Sequence, residues 1–270
     1  MKHSSIVLIL LIQSVTTFAQ KALKEQFFLF DSKMKGVSKA DSAAFLLRIS
    51  KLSDSLWQFD TYKALGPLTS SEQYRDEDGT LPAGVFTFYH PTGYVDSTGM
   101  VINGRLNGDW NFCNDTGKVI KQKTYAMGRL IKTRDLLQEE KEKKDTKDSA
   151  ETGTFKKVEW ESEYVGGPEG WRRFLNKNLR YPERAINNKI AGMVTVQFVI
   201  TTEGKPIDVA IFKSVEYSID REAMRIMLAT PKWKPASQDG RLVKSYKRQP
   251  IIFSLAGKLT TMRSGFLYIL

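Results

Sequence analysis

Apolar and polar residues alternate most regularly in the C-terminal third of the chain. Alternation over residues 194–200 and again over 207–211 is the period of strands with one buried face. The residues between them, Thr202-Glu203-Gly204-Lys205, predict a hairpin turn. A further run, from about Leu242 to Leu255, predicts a last long strand.

Helical spacing surrounds these strands. Apolar residues recur at i, i+3, i+4 and i+8 over 171–179, which predicts an amphipathic helix. Tyr181-Pro182 predicts a short second helix, and residues 219–229 predict a third, with Ser218 or Asp220 as its N-cap. The order helix–strand–strand–helix–strand predicts an α+β domain, with a three-stranded antiparallel sheet and helices packed on one face.

The N-terminal half contains an internal repeat of 24 residues, with copies at 84–107 and 108–131. The corresponding positions are Gly84 and Gly108, Phe86 and Trp110, Phe88 and Phe112, Gly93 and Gly117, and Gly104 and Gly128. Aromatic residues two apart lie on the same face of a strand, and the glycines supply turns. Each copy therefore predicts two short strands in a β-meander. Residues 23–76 predict further strands, with a helix over 43–56 as the alternative.

Residues 133–157 separate the two patterned regions. Within 139–151, six acidic residues and four lysines accompany a single apolar residue, which is typical of a solvated linker or a short exposed helix. We therefore expect a β-rich domain at 20–132 and a C-terminal domain at 158–258. The apolar tail at 259–270 is consistent with an added strand or a partner contact.

The first nineteen residues have the features of a secretory signal peptide. A basic start, seven apolar residues at 6–12 and the small residues of Thr17-Phe18-Ala19 predict cleavage after Ala19. Seven apolar residues are too few to span a bilayer, which needs about 20. Export is therefore expected, with an uncleaved membrane anchor as the alternative.

Composition limits the chemistry that the chain can perform. Its 270 residues include two histidines and one cysteine, which excludes a disulfide framework and a typical zinc site within one chain. The net charge of +11 favours anionic surfaces or acidic proteins as partners of an exported chain, or reflects a solvated basic surface. No RNA-binding strand motif is present, so no nucleic acid is expected, and neither is a cofactor or a metal.

Cys113 and His90 are the only thiol and the only imidazole of the predicted mature chain, so they are its one candidate thiol–imidazole pair. The repeat aligns Cys113 with Tyr89 and Asn114 with His90, so the two side chains should face opposite sides of the sheet. Carboxylates do not form a spaced pair in an apolar setting. We therefore expect no catalytic residues, and the chain is not predicted to be an enzyme.

Many residues after position 160 match one family in order and spacing. They are Gly166-Gly167, Leu179-Arg180-Tyr181-Pro182, Gly192-x-Val194-x-Val196-x-Phe198, Gly204, Asp208-Val209, Asp220-x-x-Ala223, Pro231-x-Trp233-x-Pro235, Gly240 and Pro250-Ile251-x-Phe253. The region resembles the C-terminal domain of energy transducer TonB proteins. That resemblance implies a periplasmic domain that binds the TonB box, a short extended segment of outer-membrane TonB-dependent receptors. It also implies inner-membrane motor proteins as further partners.

Residues 80–132 resemble the MORN-like repeats of the YwqK-type antitoxin family, through their glycine–aromatic rhythm. Such repeats mostly serve as scaffolds or contact surfaces. The resemblance therefore implies a structure for this part of the chain and leaves its function open.

A proline in the last predicted strand indicates where a partner would bind. Pro250 cannot donate to a ladder, so this strand should be an edge or carry a bulge. The candidate docking edge is Val243, Lys244, Ser245, Tyr246, Lys247, Arg248 and Gln249. Its three basic residues favour an acidic peptide, or protect the edge from aggregation. A second proline at Ser245 or Lys247 should block pairing if the lost N–H faces the open edge.

Two functions fit these observations. One is a periplasmic TonB-like protein that binds receptor segments by strand addition in TonB-dependent transport. The other is a structural adaptor that holds partners without energy coupling. The short linker contains no proline and the signal looks cleavable, which argues against force transmission from the inner membrane.

Overall fold

The computed structural model describes residues 25–147 and 161–255. The fold is α+β: a long N-terminal β-meander precedes a three-stranded antiparallel sheet with helices, as the sequence pattern predicts. The predicted signal peptide and the tail at 259–270 lie outside the described residues, as does part of the predicted linker.

Ten strands form the meander. They are β1 (Glu25–Phe30), β2 (Gly36–Val37), β3 (Phe45–Ser53), β4 (Leu56–Lys63), β5 (Leu68–Tyr74), β6 (Gly84–Tyr89), β7 (Val95–Ile102), β8 (Arg105–Cys113), β9 (Val119–Ala126) and β10 (Arg129–Asp135). Their order in the sheet is β10-β9-β8-β7-β6-β5-β4-β3-β1-β2, so nearly every strand pairs with its neighbour in sequence. Because β3 occupies 45–53, the alternative of a helix over 43–56 is wrong.

The 24-residue repeat is visible in the backbone. Its first copy forms β6 and β7, and its second forms β8 and β9. All three corresponding glycine pairs have positive φ: 102° and 68° at Gly84 and Gly108, 86° and 77° at Gly93 and Gly117, and 72° and 89° at Gly104 and Gly128. Side chains other than glycine rarely adopt this conformation, which explains why each copy carries glycine at the same places.

One face of the meander carries two neighbouring rows of side chains. The polar row consists of the cross-strand partners Arg48, Asp60, Ser71, Thr87, Thr98, Asn111, Gln122 and Arg134. Hydrogen bonds join several neighbours, such as Thr87 to Thr98 at 2.8 Å. Beside it, an apolar row includes Leu46, Tyr62, Leu68, Tyr89, Val95, Cys113 and Val119. The apolar row contacts the C-terminal domain through Tyr217 and Phe212.

A charged helix, α1 (Leu136–Lys147), follows β10 directly and lies within the segment predicted as a linker. Two ion pairs hold its first turns to the meander: Arg134 with Glu139 at 2.6 Å, and Lys118 with Glu140 at 2.7 Å. The beginning of this segment is therefore an exposed helix rather than irregular chain.

Eight elements form the C-terminal domain. They are α2 (Gly167–Asn178), α3 (Glu183–Asn187), β11 (Gly192–Ile200), β12 (Pro206–Lys213), α4 (Tyr217–Leu228), β13 (Ala236–Gln238), β14 (Arg241–Val243) and β15 (Ser245–Phe253). The main sheet has the order β12-β11-β15, with both pairings antiparallel, and β13 and β14 form a separate hairpin.

The core lies between this sheet and its helices. The alternating residues of β11, at positions 194, 196, 198 and 200, are completely buried. They belong to one apolar cluster with Trp171 and Leu175 of α2 and with Ile219 and Ile226 of α4. Burial on one face of the central strand is thus the reason for its strict alternation.

Two local predictions differ from the structure. Glu216 is the N-cap of α4, in place of Ser218 or Asp220, because its carboxylate accepts from the N–H of Ser218. The last strand is also divided. Asp239 and Gly240 have positive φ and turn β13 into β14, so the chain changes partners before β15 begins.

Candidate functional site: the open edge of β15

β15 is an edge strand of the C-terminal sheet. It pairs with β11 along its full length, from Ser245 opposite Ile200 to Phe253 opposite Gly192, without a register shift. Among residues 25–147 and 161–255, no strand pairs with its other side. An edge of this kind presents unpaired N–H and C=O groups, which are the groups that an added strand would bind.

Pro250 determines which backbone groups face the open side. It lies opposite Thr195 and has no N–H, so it fits only where the ladder to β11 requires no donor. Its carbonyl accepts a hydrogen bond from its neighbour's side chain, Gln249 Nε2, at 3.2 Å. The backbone N–H and C=O groups of successive residues in a strand point to opposite sides. Those of Tyr246 and Arg248 therefore face the open side, as the carbonyl of Pro250 does.

The same alternation directs the backbone N–H groups of Ser245 and Lys247 toward β11, where the two residues lie opposite Ile200 and Phe198. A proline at either position would disrupt the sheet itself. The proline test of the edge therefore belongs at Tyr246 or Arg248.

The seven predicted edge residues lie in three different places. Val243 is the last residue of β14 and pairs with Ala236, and Lys244 connects β14 to β15. The other five, Ser245, Tyr246, Lys247, Arg248 and Gln249, are the first five residues of β15. The structure thus brings five of the seven together on one open strand.

The three basic side chains near this edge differ in their surroundings. Lys247 donates from Nζ to the carbonyl of Ser162 at 2.8 Å. The guanidinium carbon of Arg248 lies 3.4 Å from the centre of the Phe212 ring. Lys244 is exposed. Of the three charges, the Lys244 ammonium is therefore the one most available to an acidic partner.

Two of the family-motif residues support β15 from one end. The Tyr181 hydroxyl donates to the carbonyl of Ile190 at 2.6 Å, and its ring meets Phe253 edge-on at 5.6 Å. Pro182 is the N-cap residue of α3, directly before the helix. These residues fix the chain that enters β11 and the last residue of β15.

Trp233 and Pro235 support the sheet from the other end. The Trp233 ring is buried, with its centre 5.2 Å from that of Phe198 and 5.3 Å from that of Tyr164. The backbone N–H of Trp233 donates to the carbonyl of Gly204 at 2.8 Å, which ties this residue to the β11–β12 turn. Pro235, half-buried, leads into β13. Tyr181, Pro182, Trp233 and Pro235 therefore support the core behind the edge, whereas the motif residue Pro250 lies on the edge strand itself.

The opposite edge of the sheet is partly covered by the meander. Lys213, the last residue of β12, forms an antiparallel bridge with Tyr94. The next residue, Ser214, donates its N–H to the carbonyl of Gly93 at 2.9 Å, and its hydroxyl accepts from the Leu68 N–H at 2.8 Å. β12 is therefore blocked at its C-terminal end, and among the described residues β15 is the edge of this sheet that stays open along its full length.

Phe212 inserts into the same junction. Its side chain is 5% exposed and clusters with Val95 and Cys113 of the apolar row. Sequence reasoning missed this contact, although the pair Ile211-Phe212 interrupts the alternation of β12. Two successive buried residues require both faces of a strand to be covered. This pair could therefore have indicated that a second part of the chain packs on β12.

A buried group of acidic side chains lies behind the junction. Glu216 is fully buried and pairs with Arg184 Nε at 2.6 Å. Asp220 accepts from the Ser214 hydroxyl and from the Val215 N–H. Burial raises the pKa of Asp220 to about 7, since the hydrogen bonds only partly offset desolvation and the Glu216 carboxylate adds to it. This carboxylate changes charge near neutral pH.

Cys113 and His90 do not form a thiol–imidazole pair in the contacts observed. His90 Nε2 lies 3.2 Å from the Cys113 carbonyl oxygen and 3.1 Å from Asp96 Oδ1. Burial raises the pKa of the Cys113 thiol, which disfavours the nucleophilic thiolate. Across the described ranges, no group of three or more His, Cys, Asp or Glu side chains is arranged to hold a metal ion.

Comparison with known proteins identifies part of this region. Residues 177–255 match the family model described as Gram-negative bacterial TonB protein C-terminal. Neither the curated proteins nor the solved structures contain a match to this chain.

The family match connects this domain with TonB-like transport, in which such domains bind other proteins rather than catalyse reactions. TonB proteins are periplasmic or membrane-associated in Gram-negative bacteria and act with outer-membrane receptors. None of the helices within 25–147 and 161–255 has the length and apolar character needed to cross a membrane.

Proposed function

We propose that this protein binds an extended segment of an outer-membrane TonB-dependent receptor, the TonB box, by adding it as a strand to β15. The proposed location is the periplasm, reached through a signal peptide at 1–19. Inner-membrane motor proteins are a further partner that the family resemblance suggests. The MORN-like assignment of 80–132, which the paired positive-φ glycines support, belongs to the same proposal.

The observation that carries the proposal is the asymmetry of the sheet edges. One edge strand, β12, is bridged by Tyr94, whereas β15 has no second strand partner within 25–147 and 161–255 along its nine residues. An incoming segment would bind the outward backbone groups of Tyr246 and Arg248 and the outward carbonyl of Pro250. Gln249 Nε2 would have to release that carbonyl first.

Recognition by backbone pairing predicts modest dependence on charge. Lys247 is held by Ser162 and Arg248 by Phe212, so Lys244 supplies most of the free positive charge beside the edge. Acidic residues in the partner segment would therefore strengthen binding mainly where that segment pairs with the start of β15, next to Lys244.

The experiment is a titration of the isotope-labelled chain with synthetic peptides, read by amide chemical shifts. The peptides cover the periplasmic N-terminal segments of candidate outer-membrane receptors. Tyr246→Pro removes an outward N–H, whereas its control, Tyr246→Ala, removes the same side chain and keeps that N–H. We expect at least a tenfold loss of affinity for the proline variant and less than a threefold change for the alanine variant.

Two further measurements make this test decisive. A peptide methylated at alternate backbone nitrogens should bind in one methylation register and fail in the other, because strand addition uses alternate N–H groups. Shifts confined to the Tyr181-Pro182 region, with residues 245–249 unchanged, would contradict strand addition at β15.

The structural adaptor is the second candidate, and the junction between the two domains favours it. Residues 212–214 contact the turn and strand at 93–95, and they also contact Leu68 and Cys113 of the meander. This is the behaviour of a scaffold that holds its own domains in place. Capture of a receptor by the wild-type chain but not by Tyr246→Pro would favour receptor binding. Equal capture by both variants would favour the adaptor.

A further inference from the structure

The geometry points to Arg248 as a positioning residue through which the meander holds the open edge of β15. We propose that Gly117, Phe212 and Arg248 form a chain of contacts that keeps this strand ready to accept a partner. The effect on peptide binding rests on the function proposed above, whereas the effect on the order of β15 does not.

The first contact joins the meander to β12. Gly117 lies in the turn between β8 and β9, with φ of 77°. A Cβ at this position would lie 2.4 Å from Phe212 Cζ and 3.0 Å from Tyr94 Cδ1. A Cβ atom essentially never lies within 3.0 Å of an atom outside its own residue and the two chain neighbours, so the Phe212 ring occupies space that only glycine leaves free. The repeat turn and the ring therefore fix each other's position.

The second contact joins β12 to β15. The Arg248 guanidinium stacks over the Phe212 ring at 3.4 Å, which requires its side chain to cross β11 along the face opposite the helices. Phe212 itself packs in one cluster with Val95 and Cys113 of the meander, which places the guanidinium stacked on its ring beside the meander. The side chain is therefore directed away from the open edge, while the backbone N–H of the same residue faces it.

Holding this residue matters because strand addition orders both strands. A peptide that binds a mobile edge must also immobilise it, and the lost conformational entropy of each immobilised side chain weakens binding. Arg248 has a long flexible side chain and lies near the middle of the open edge. Its attachment to Phe212 removes part of this cost before the peptide arrives.

The full chain allows a direct test with a matched control. Gly117→Ala introduces a Cβ against Phe212, whereas Gly104→Ala places one in open space at a similar φ of 72°. Both variants place alanine at a positive φ and share that backbone strain, but only Gly117→Ala brings a new atom against the Phe212 ring. Residue-resolved amide exchange should show at least tenfold faster exchange at Ser245, Lys247 and Gln249 in Gly117→Ala, and unchanged exchange in Gly104→Ala. Equal exchange in both variants would overturn the proposal.

Arg248→Ala is the second variant. It shortens an exposed side chain and therefore introduces no clash. If it speeds exchange at the same three amides, the contact through the ring is supported even where Gly117→Ala does not fold. Arg248→Lys, which keeps a cation near the ring, should restore part of the protection. Unchanged exchange in Arg248→Ala would refute a positioning role.

Peptide affinity separates this inference from the proposed function. For a peptide that binds the wild-type chain, Gly117→Ala and Arg248→Ala should each weaken binding about three- to tenfold. Together they should weaken it by less than the product of the single effects, because both break one chain of contacts. Multiplicative effects would reject the coupling and leave strand addition standing. Absence of any binding peptide would reject strand addition, and the exchange data would still decide the positioning role.

Discussion

Glu216 is buried completely, yet its partner Arg184 reaches it from a half-exposed position at 2.6 Å. Arg184 also donates to the carbonyl of Ala64, so one guanidinium connects α3, the start of α4 and the meander. The ion pair thus lies at the contact between the two parts of the fold.

Arg184→Ala should destabilise the full chain by about 3–5 kcal/mol, because it leaves the buried Glu216 carboxylate without its cation. Arg221→Ala is the control, since Arg221 is exposed and pairs with Glu25 at 3.3 Å. Its effect should stay within about 1 kcal/mol. Urea unfolding of the three chains measures both differences, and similar values for the two variants would contradict this account.

Phe198→Ala should cost about 3–5 kcal/mol of unfolding free energy, because the ring is completely buried beneath the helices. Val199→Ala is the matched control: it lies one residue along the same strand, on the opposite face, and is half-buried. Its effect should be clearly smaller. Thermal and urea unfolding of the full chain and of an isolated 160–258 fragment test the core. A fragment without a cooperative transition would show that this domain depends on the meander.

Stability should decrease as the pH rises from about 4 to about 7, through Asp220. Burial raises its folded pKa to about 7 from an ordinary 3.8, so the folded chain retains a proton that the unfolded chain releases. The stability contribution is full below the unfolded pKa and is lost by the time the pH passes the folded pKa. From the difference between the two pKa values, this contribution should be about a few kcal/mol. Asp220→Asn should flatten this dependence, and a parallel decrease in both chains would assign it to other groups.

Lys244 and Lys247 should respond differently to salt. Lys244→Gln should weaken binding of an acidic peptide mainly at low ionic strength, since exposed charges are screened beyond about 8 Å at physiological salt. Lys247→Gln should disturb the structure more, because Lys247 donates to Ser162. Peptide titrations at two salt concentrations, with unfolding curves for each variant, distinguish the roles. Equal salt dependence for both lysines would show that neither is sequestered.

The sequence predicted the C-terminal fold well because its main strand and helices each bury one face along their whole length. Alternation over 194–200 arises from a strand with helices on one face, and the spacing over 171–179 arises from a helix that buries one side. The repeat predicted the turns of β6 to β9, since positive φ favours glycine at the same places in each copy. Local patterns sufficed wherever a residue's surroundings were set by its own element.

The site was predicted less completely, because it depends on contacts between distant segments. Pro250 indicated an edge, but the directions of the Ser245 and Lys247 N–H groups follow only from the register with β11. Stacking of Arg248 on Phe212 joins residues 36 positions apart on two strands, and no spacing rule connects them. Gly117 looked like a turn residue alone, whereas it also leaves space for the Phe212 ring.

The bridge between Tyr94 and Lys213 has a consequence for stoichiometry. A sheet whose two edges were both open could join partners on each side and grow into larger assemblies. Here the meander blocks the C-terminal end of β12, so within the described residues β15 is the edge of the C-terminal sheet that is available along its full length. The C-terminal sheet should therefore take up a single extended segment, at β15.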